Sequence, residues 1–426
     1  MKERLKAPEL RFPGFTDDWV ENQLGSLIKI ERQQEIKKEK LTDTPEGYYV
    51  LAMRTFSKEG YIDFSKPYWI KSDIEDKDAF LLPGEFAIID ADMDVSLPKI
   101  GKVLINSYNK KFLLAAHVRK VNVQNNVNSY FMYGVMRTDH LLRRLKKEAS
   151  GSIAQGLLDK NIYKQNVYIP AIFEQAKIGL FLKEFENIIA LHQRKLDLLK
   201  EQKKGYLKKM FPKNGAKVPE LRFPGFTDDW EERKLEDISE IIDGDRGKNY
   251  PSGDDFKNNG HTLFLSAANV TKQGFVFKET QYITKLKSES LGSGKVILND
   301  IILTSRGSIG HIGFYDKKTH EYIPQARINS GMLILRTDKL NSPSFIAQFL
   351  KSPWGIKQIK LISFGSAQPQ LTKKDIKNFK IILPKMEEQE KIGSFFQKLD
   401  DTIALHQRKL DLLKGQKKGF LQKMFV

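Results

Sequence analysis

The sequence predicts an α+β fold: two tandem α/β modules with curved mixed sheets, separated by two long spacer helices that pair antiparallel as a coiled coil. Two duplicated strings and a heptad pattern support this prediction. The string PELRFPGFTDDW runs over Pro8–Trp19 and again over Pro219–Trp230, and IALHQRKLDLLK runs over Ile189–Lys200 and again over Ile403–Lys414. Repeats at such a distance indicate two equivalent modules.

The segments between the repeats, 31–150 and 240–360, show no obvious identity. The two modules therefore share a scaffold and differ in what the scaffold carries. A chain of 426 residues is too long for one core and suits two domains. The predicted boundaries are a first module over 1–170, a helix and linker over 171–218, a second module over 219–384 and a second helix over 385–426.

The second string lies in a heptad seam whose residues alternate four and three positions apart, which is typical of a coiled coil. Pro170 and Pro384 mark the predicted helix starts. Acidic residues are concentrated in the first turns of the two predicted helices and lysines lie near their ends, which is favourable for the helix dipole. A helix of about 33 residues would be a rod of roughly 50 Å. The candidates for the seam and for subunit assembly are Ile178, Phe185, His192, Leu196, Leu199, Ile392, Leu399, His406, Leu410 and Leu413.

Chain connectivity predicts the orientation of the helices. The first helix delivers the chain to the second module at its far end, so the second helix has to run back, and a pseudo-twofold axis relates the copies. His192 and His406 are equivalent seam residues; a buried polar role that fixes register is favoured over metal binding, because no Cys or close acid accompanies them. Lys203 and Lys417 either share that role or reach past the seam edge.

The composition is basic, with 71 Lys and Arg against 53 Asp and Glu and a net charge of +18. Nucleic acid is the best-fitting partner, ahead of an acidic membrane surface, because distributed cations release counterions from a phosphate backbone. The chain has no Cys, which excludes disulfides and thiolate zinc sites. No run of about 18 apolar residues occurs, so we expect a cytoplasmic protein without a membrane partner. The basic distal halves of the helices are either solvated faces or surfaces for phosphate or a subunit.

Candidate nucleic-acid contacts lie on polar loops of the second module. Arg306 follows a predicted strand in TSRGSIG, and Arg327 and Asn329 lie in PQARINSG. An arginine fork matches the two acceptors on a guanine edge, although a loop salt bridge is an equal alternative for each residue. The other candidates for DNA contact are Ser305, Gln325, Arg54 and Lys248.

The segment of the first module that aligns with the TSRGSIG loop is acidic. Asp90, Asp92 and Asp94 are spaced by two, so they share a face if the strand continues. Acids there can accept from cytosine amines or bind a cation, but a turn with partial recognition value is favoured. A calcium loop is disfavoured because Val95 and Gly101 stand where Gly and Glu are needed.

No catalytic motif is complete. LGSGKV over Leu291–Val296 resembles a phosphate loop, but Glu289 replaces the first Gly and Val296 replaces the magnesium-binding Ser or Thr. Two similar segments, Gly151–Ile162 and Gly365–Ile376, precede the helices; docking of the helix is favoured over phosphate binding for both. We therefore expect a non-catalytic chain.

This arrangement resembles the specificity subunit of type I restriction-modification systems. Each copy has the PELRFPGFTDDW opening, a GSxxQ-type loop, a YIP or ILP boundary, an EQ-containing first turn and a long helix, over nearly the whole chain. The resemblance implies two target-recognition domains that bind an asymmetric, bipartite double-stranded DNA target, with the spacer helices setting the gap. It also implies two methyltransferase subunits that use S-adenosylmethionine on adenine, and two restriction/translocase subunits that use ATP and Mg²⁺, with no cofactor on this chain.

Two rival hypotheses remain. A fused restriction-modification enzyme with built-in target domains would need a methyltransferase or nuclease core within this sequence. A non-catalytic coiled-coil scaffold would have no need for two divergent modules inside duplicated frames. Methylation of DNA by the purified chain alone would favour the fused enzyme.

Overall fold

The computed structural model describes residues 7–33, 35–65, 67–71, 76–94, 96–151, 154–213, 216–363 and 370–426. The chain divides into two compact units, Met1–Lys195 with His406–Val426, and Leu196–Leu405. Each unit contains one module and one half of each long helix. We call the module of the first unit domain 1 and the module of the second unit domain 2.

Domain 1 is built on two four-stranded sheets. Strands rich in Val, Ile and Phe form both sheets, as expected for residues that pack well on a pleated, buried surface. The sheet orders are β2-β10-β6-β8, all antiparallel, and β4-β3-β9-β5, in which β3 and β9 run parallel. The strands are β1 (Val20–Gln23), β2 (Ile28–Ile30), β3 (Tyr48–Leu51), β4 (Trp69–Ile70), β5 (Phe80–Leu81), β6 (Phe86–Ile89), β7 (Ala91–Asp92), β8 (Val103–Ile105), β9 (Phe112–Leu114), β10 (Val118–Val123), β11 (Gln155–Gly156) and β12 (Asn166–Ile169).

The described residues of domain 1 also form three short α-helices: α1 (Ser129–Met136), α2 (Asp139–Glu148) and α3 (Asp159–Tyr163). The side chain of Asn128 caps α1 by accepting from the amide of Phe131 at 3.0 Å. The first long helix follows as α4 (Ile172–Lys209).

Domain 2 repeats the topology of domain 1. Its sheets have the orders β14-β23-β20-β21 and β18-β15-β22-β19, and β15 and β22 are the parallel pair. Its strands are β13 (Glu231–Lys234), β14 (Ser239–Asp243), β15 (Thr262–Leu265), β16 (Val270–Thr271), β17 (Gly274–Phe275), β18 (Tyr282–Ile283), β19 (Lys295–Val296), β20 (Ile301–Thr304), β21 (Ile312–Phe314), β22 (Ala326–Ile328), β23 (Met332–Thr337) and β24 (Lys380–Leu383).

The described part of domain 2 contains six short α-helices, and the second long helix follows them. They are α5 (Leu235–Ile238), α6 (Lys285–Glu289), α7 (Lys317–Tyr322), α8 (Pro343–Lys351), α9 (Pro353–Ile362), α10 (Lys373–Lys377) and then the long α11 (Met386–Lys423). Helices α5, α6 and α7 have no α-helical counterpart among the described residues of domain 1.

The two long helices run antiparallel within each unit. In the first unit, the ring of Phe185 lies 5.4 Å from that of Phe420, and His192, further along α4, meets His406, earlier in α11. In the second unit, Tyr206 packs edge-on against Phe395 at 5.0 Å. The antiparallel pairing is confirmed. Each helix has 38 residues rather than about 33, because each one starts two residues after its proline and continues into its basic end.

The duplicated PELRFPGFTDDW string is a structural clamp. Arg11 donates both guanidinium arms to Glu174 in the first turn of α4, at 2.6 and 2.7 Å. In the second unit, Arg222 donates to Glu388 in α11 at 2.7 and 2.8 Å. Bidentate pairs of this kind fix geometry as well as contribute energy. The string is repeated because each unit has to hold the start of a long helix.

The same string also reaches a helix end. Trp19 packs edge-on against Phe425, which follows α11, at 6.2 Å in the first unit. Trp230 packs edge-on against Phe211, which follows α4, at 6.4 Å in the second. Both tryptophans are buried in the cores of their units.

Candidate nucleic-acid interface

Polar, glycine-rich loops converge at one edge of domain 2. The loop after β20 joins the turn before β23, because the amides of Ser305 and Arg306 both donate to the carbonyl of Gly331, at 2.9 and 3.2 Å. Arg246, in the loop after β14, reaches the same turn and donates to the carbonyl of Ser330 at 3.3 Å. We call these joined loops, 244–250, 290–294, 305–310 and 329–331, the domain 2 loop edge.

Asp245 organises this edge. Its carboxylate accepts from the amides of Gly247 and Gly292, both at 2.6 Å, and these backbone hydrogen bonds lower its pKa. The loops approach so closely that a side chain at Gly244 would lie 2.0 Å from the carbonyl oxygen of Asn329. Glycine at 244 is therefore a steric requirement of the loop edge.

Arg306 projects from the loop edge as an exposed side chain. The next residue, Gly307, has φ +68, a conformation that favours glycine. Beneath the turn, the hydroxyl of Thr304 accepts from the amide of His311 at 2.9 Å. Among the described residues, the Arg306 guanidinium has no ion-pair or hydrogen-bond partner, so its donors are available to a ligand. Its contact with DNA stays a prediction.

Arg327 is placed differently from the prediction. The residue is 6% exposed, and its guanidinium donates to Ser288 Oγ at 3.0 Å and to the carbonyls of Ser293 and Leu291 at 2.7 and 3.2 Å. Burial lowers its pKa. A guanidinium occupied in this way has no fork to offer a guanine, so we reassign Arg327 to holding the 290–294 loop.

The other domain 2 candidates divide by exposure. Ser305 is buried, and the Oδ1 atom of Asn329 accepts from the amide of Gly331 at 3.0 Å, so both support the loop backbone. Gln325 and Lys248 are exposed. Arg246 was missed by the sequence analysis, although GDRGKNY is as rich in glycine and basic residues as TSRGSIG.

The matching edge of domain 1 has the same backbone frame. The amide of Asp90 donates to the carbonyl of His117 at 3.1 Å, and the amide of Leu157 donates to the carbonyl of Asp90 at 2.7 Å. In domain 2, the bonds from Ser305 to Gly331, at 2.9 Å, and from Leu371 to Ser305, at 2.9 Å, occupy the same places. We call the first set the domain 1 loop edge.

The acids at the domain 1 loop edge do not act as free acceptors. Asp90 lies 2.9 Å from His117 Nδ1 and 3.3 Å from Arg119 Nη1. Asp92 is buried and accepts from the amides of Asp94 and Lys99 at 3.1 and 2.7 Å. The predicted readout of cytosine by these carboxylates therefore does not fit their placement, because their lone pairs already serve the fold.

Domain 1 presents cations above aromatic rings. Arg54 is exposed, lies 4.8 Å from the Tyr68 ring and donates to its hydroxyl at 3.1 Å. Between β8 and β9, the Nζ atom of Lys110 lies 5.2 Å from the Phe112 ring, and that of Lys111 lies 4.2 Å from the Phe80 ring. These rings hold the exposed ammonium groups in place, and neither lysine has a carboxylate partner among the described residues.

The seam histidines meet in the first unit. The Nδ1 atoms of His192 and His406 lie 3.3 Å apart, and burial with nearby Lys409 and His406 lowers the pKa of His192. Of the other predicted seam residues, Ile178, Leu196, Leu199, Ile392 and Leu410 are buried, and Phe185, Leu399 and Leu413 are half-buried.

An ion pair joins the long helices in each unit; it is buried in the first unit and half-buried in the second. In the first unit, Lys417 of α11 pairs with Glu186 of α4, and Glu186 also accepts from the hydroxyl of Tyr133 at 2.7 Å. In the second, Lys203 of α4 pairs with Asp400 of α11 at 2.5 Å. Lys203 and Lys417 thus hold buried or half-buried acids on the partner helix, which sequence alone left undecided.

Burial governs the protonation of the first pair. Lys417 is 1% exposed, and desolvation lowers its pKa to about 7, against the opposing attraction of Glu186. Burial opposes ionisation of Glu186, but Lys417 and Arg137 outweigh it, so the pKa of Glu186 is lowered.

Two further observations concern metal ions and membranes. The described residues contain no group of three or more His, Cys, Asp or Glu side chains that could hold a metal ion. Within the same ranges, none of the helices is long and apolar enough to cross a bilayer.

The predicted docking loops are described only in part. The start of Gly365–Ile376 and part of Gly151–Ile162 lie outside the described residues.

Comparisons with known proteins agree with this architecture. Residues 16–201 and 227–414 both match the family described as type I restriction modification DNA specificity domain. The chain is 24% identical to the type I restriction enzyme MjaVIII specificity subunit of Methanocaldococcus jannaschii, over 97% of this chain and 92% of that protein. It is 23% identical to the putative MjaX specificity subunit of the same organism, over 95% and 92%.

The fold is also similar to a solved structure. The S subunit of a type I restriction-modification system from M. genitalium superposes with a TM-score of 0.66 at 16% identity, over 99% of both chains. The family match covers both halves of the sequence and describes DNA specificity rather than catalysis. The chain therefore belongs to the type I restriction-modification DNA specificity family, as a non-catalytic specificity subunit with two target-recognition domains.

Proposed function

We propose that this chain recognises a bipartite, asymmetric target in double-stranded DNA, one half with each domain, and directs adenine methylation and restriction by partner subunits in the cytoplasm. One observation carries the proposal: the two domains have the same strand order and the same loop-edge backbone but present unlike side chains. Arg306 and Arg246 project from domain 2, whereas His117 and Asp90 occupy the domain 1 loop edge. Unlike side chains on one frame suit unlike half-sites.

The rest of each domain supplies sequence-independent attraction. Lys110 and Lys111 are exposed at the tip between β8 and β9, and Arg54 and Lys248 are exposed elsewhere. Such cations can bind phosphate and add affinity without choosing a sequence. The long helices would then set the gap between the half-sites.

The partners we propose are two methyltransferase and two restriction/translocase subunits, which would hold S-adenosylmethionine, ATP and Mg²⁺. Support comes from apolar side chains that are exposed although they belong to the duplicated string. In the first unit Leu191 and Leu412 are 66% and 61% exposed, and in the second unit Leu198 and Leu405 are 51% and 65% exposed. Identical exposed leucines in both copies suit two copies of one partner.

Co-expression with a methyltransferase subunit, followed by genome-wide mapping of methylated adenines, tests the proposal. We expect one motif made of two unlike halves with a fixed gap. The purified chain with S-adenosylmethionine alone is the control and should leave DNA unmodified. Methylation by the chain alone would support the fused-enzyme alternative, and a short continuous motif would contradict bipartite recognition.

A further inference from the structure

An exposed histidine in domain 1 is held by a chain of charged side chains that are buried or partly buried. His117 lies directly before β10 with 51% of its side chain exposed, and its Nδ1 atom is 2.9 Å from Asp90 Oδ1. The Asp90 carboxylate is 13% exposed and lies 3.3 Å from Arg119 Nη1. Arg119 is 8% exposed and also donates to Asp159 at 3.0 Å through Nη2. Three groups thus orient one imidazole that faces solvent.

This chain fixes the hydrogen-bonding role of the ring. An ionised carboxylate only accepts, so the proton between His117 and Asp90 belongs to Nδ1. Nε2 is then the ring atom left for a ligand, and among the described residues it has no hydrogen-bond partner. It accepts while the ring is neutral and donates once the ring carries a second proton. In proteins generally, a carboxylate that accepts from one histidine nitrogen fixes the ring orientation and leaves the other nitrogen for a ligand.

The backbone at His117 adds a second observation. Its φ is 68°, in the left-handed region where a residue other than glycine is uncommon, although histidine is among those tolerated there. Such strain persists where the surroundings impose it and clusters at functional sites. The corresponding residue in domain 2, Gly331, lies outside the left-handed region although it makes the equivalent loop-edge hydrogen bond, so that bond does not by itself require the left-handed conformation of His117.

The comparison with domain 2 indicates what His117 faces. Gly331 adjoins Arg306, since a Cβ atom added at Gly331 would lie 3.6 Å from the Cβ of Arg306. In domain 1 the residue after Asp90 is the buried Ala91, so an arginine is lacking there. The position that His117 occupies in domain 1 therefore corresponds to the position next to Arg306 in domain 2.

We propose that His117 is the DNA-contacting residue at the domain 1 loop edge, where its imidazolium donates from Nε2 to an acceptor on a guanine edge or to a phosphate oxygen. The inference rests on the proposed function and assigns the contact to a residue. Asp90, Arg119 and Asp159 position it and do not touch DNA.

The decisive variant is His117→Gly in the complete complex. Glycine removes the imidazole and also relieves the left-handed backbone, so the variant should unfold at the same temperature as the wild type or higher. Motif mapping is then compared with that of the wild type, with the domain 1 half-site identified by exchange of residues 31–150. Loss of a guanine contact should relax one base position of that half-site about 10-fold or more.

Further measurements distinguish a contact with a guanine edge from a contact with a phosphate oxygen, and both from a purely structural role. If Nε2 meets phosphate, His117→Gly leaves the motif unchanged but weakens binding to target and scrambled duplexes equally, with a shallower salt dependence. His117→Gln, which keeps a neutral donor, should retain part of either effect. Arg306→Ala is the matched control and should alter only the other half-site.

Failure of the inference about His117 can be distinguished from failure of the proposed function. An intact bipartite motif in the wild type, together with unchanged motif and affinity in His117→Gly, would overturn this inference and leave the proposed function standing. A wild-type complex that methylates without a bipartite motif would overturn the proposed function, and this inference with it.

Discussion

Domain 1 and domain 2 have one topology and two surfaces. Equivalent amide-to-carbonyl bonds, from Asp90 to His117 and from Ser305 to Gly331, hold their loop edges. Main-chain bonds are indifferent to side-chain identity, so the frame persists while the residues on it change. Domain 1 then carries an imidazole held by acids, and domain 2 carries arginines on glycine-rich loops. The difference teaches that recognition can diverge where the backbone alone maintains the structure.

The comparison is most directly tested by exchanging the insert of domain 1. Replacement of residues 31–150 by those of a related subunit should change one half of the methylated motif and leave the other half unchanged. The measurement is motif mapping in cells with the methyltransferase partner. A change in both halves would show that the domains do not recognise DNA independently.

Deletion of one heptad from both α4 and α11 should alter the gap rather than the halves. Seven residues at 1.5 Å each shorten a helix by about 10 Å, which corresponds to about three base pairs. The seam stays in phase because a whole heptad is removed. Deletion of four residues is the control, since it breaks the seam and should prevent assembly. An unchanged gap would contradict the proposed spacer role.

The ion pairs of the two units should differ in their sensitivity to mutation. Lys417→Met leaves Glu186 buried and unpaired, and should destabilise the first unit by about 3–5 kcal/mol. Lys203→Met should cost less, because the side chains of Lys203 and Asp400 are 15% and 28% exposed. Chemical denaturation measures both. In the control, the double variant Lys417→Met with Glu186→Leu should return towards wild-type stability. A double variant as unstable as the single one would show that the unpaired Glu186 carboxylate is not the cause of the loss.

The pH dependence of Glu186→Gln tests the same pair. Without the acid, Lys417 keeps the burial that lowers its pKa and loses an interaction that raises it. The unfolded chain then binds more protons than the folded chain between the lowered pKa and the ordinary value of 10.5. The stability of the variant should therefore rise from its lower pKa upwards, whereas that of the wild type rises only above its Lys417 pKa of about 7. The melting-temperature deficit should shrink over the interval between these two pKa values and so be smaller at about pH 9 than at about pH 6. A constant deficit would mean that Lys417 is already solvated.

Arg306 and Arg327 should separate specificity from stability. Arg306→Ala should relax one base position by about 1–3 kcal/mol with little change in melting temperature. Arg327→Ala should instead destabilise domain 2 by about 2–4 kcal/mol, because carbonyls of Ser293 and Leu291 lose their donor. Motif mapping and thermal unfolding distinguish them. Equal losses of binding on all sequences for Arg306→Ala would show that it contacts phosphate.

The helices were the most predictable part of the fold. A heptad pattern is local in sequence, so the seam, its prolines and the antiparallel order could be predicted from Pro170 and the repeated strings. The pairing of Lys417 with Glu186 could not, because an acid and a base on different helices meet only once the register is set. The same limit applied to Arg327, whose sequence context resembles that of Arg306.

His117 illustrates what sequence analysis of the site missed. Nothing beside it in the sequence marks it, because its partner Asp90 lies 27 positions away at the end of another strand. The aligned acids were noticed and a turn was favoured for them, but the contact between Asp90 and His117 could not be predicted, because a carboxylate in sequence does not reveal which groups occupy its lone pairs.

The sequence by itself determined the family, the duplication, the long helices and the basic character, because these depend on composition and on patterns that repeat within a few turns of chain. Only the tertiary structure decided which polar side chains are spent on the fold and which remain for a ligand. That choice depends on burial and on hydrogen bonds between residues far apart in sequence, and neither is encoded by the residue type at a single position.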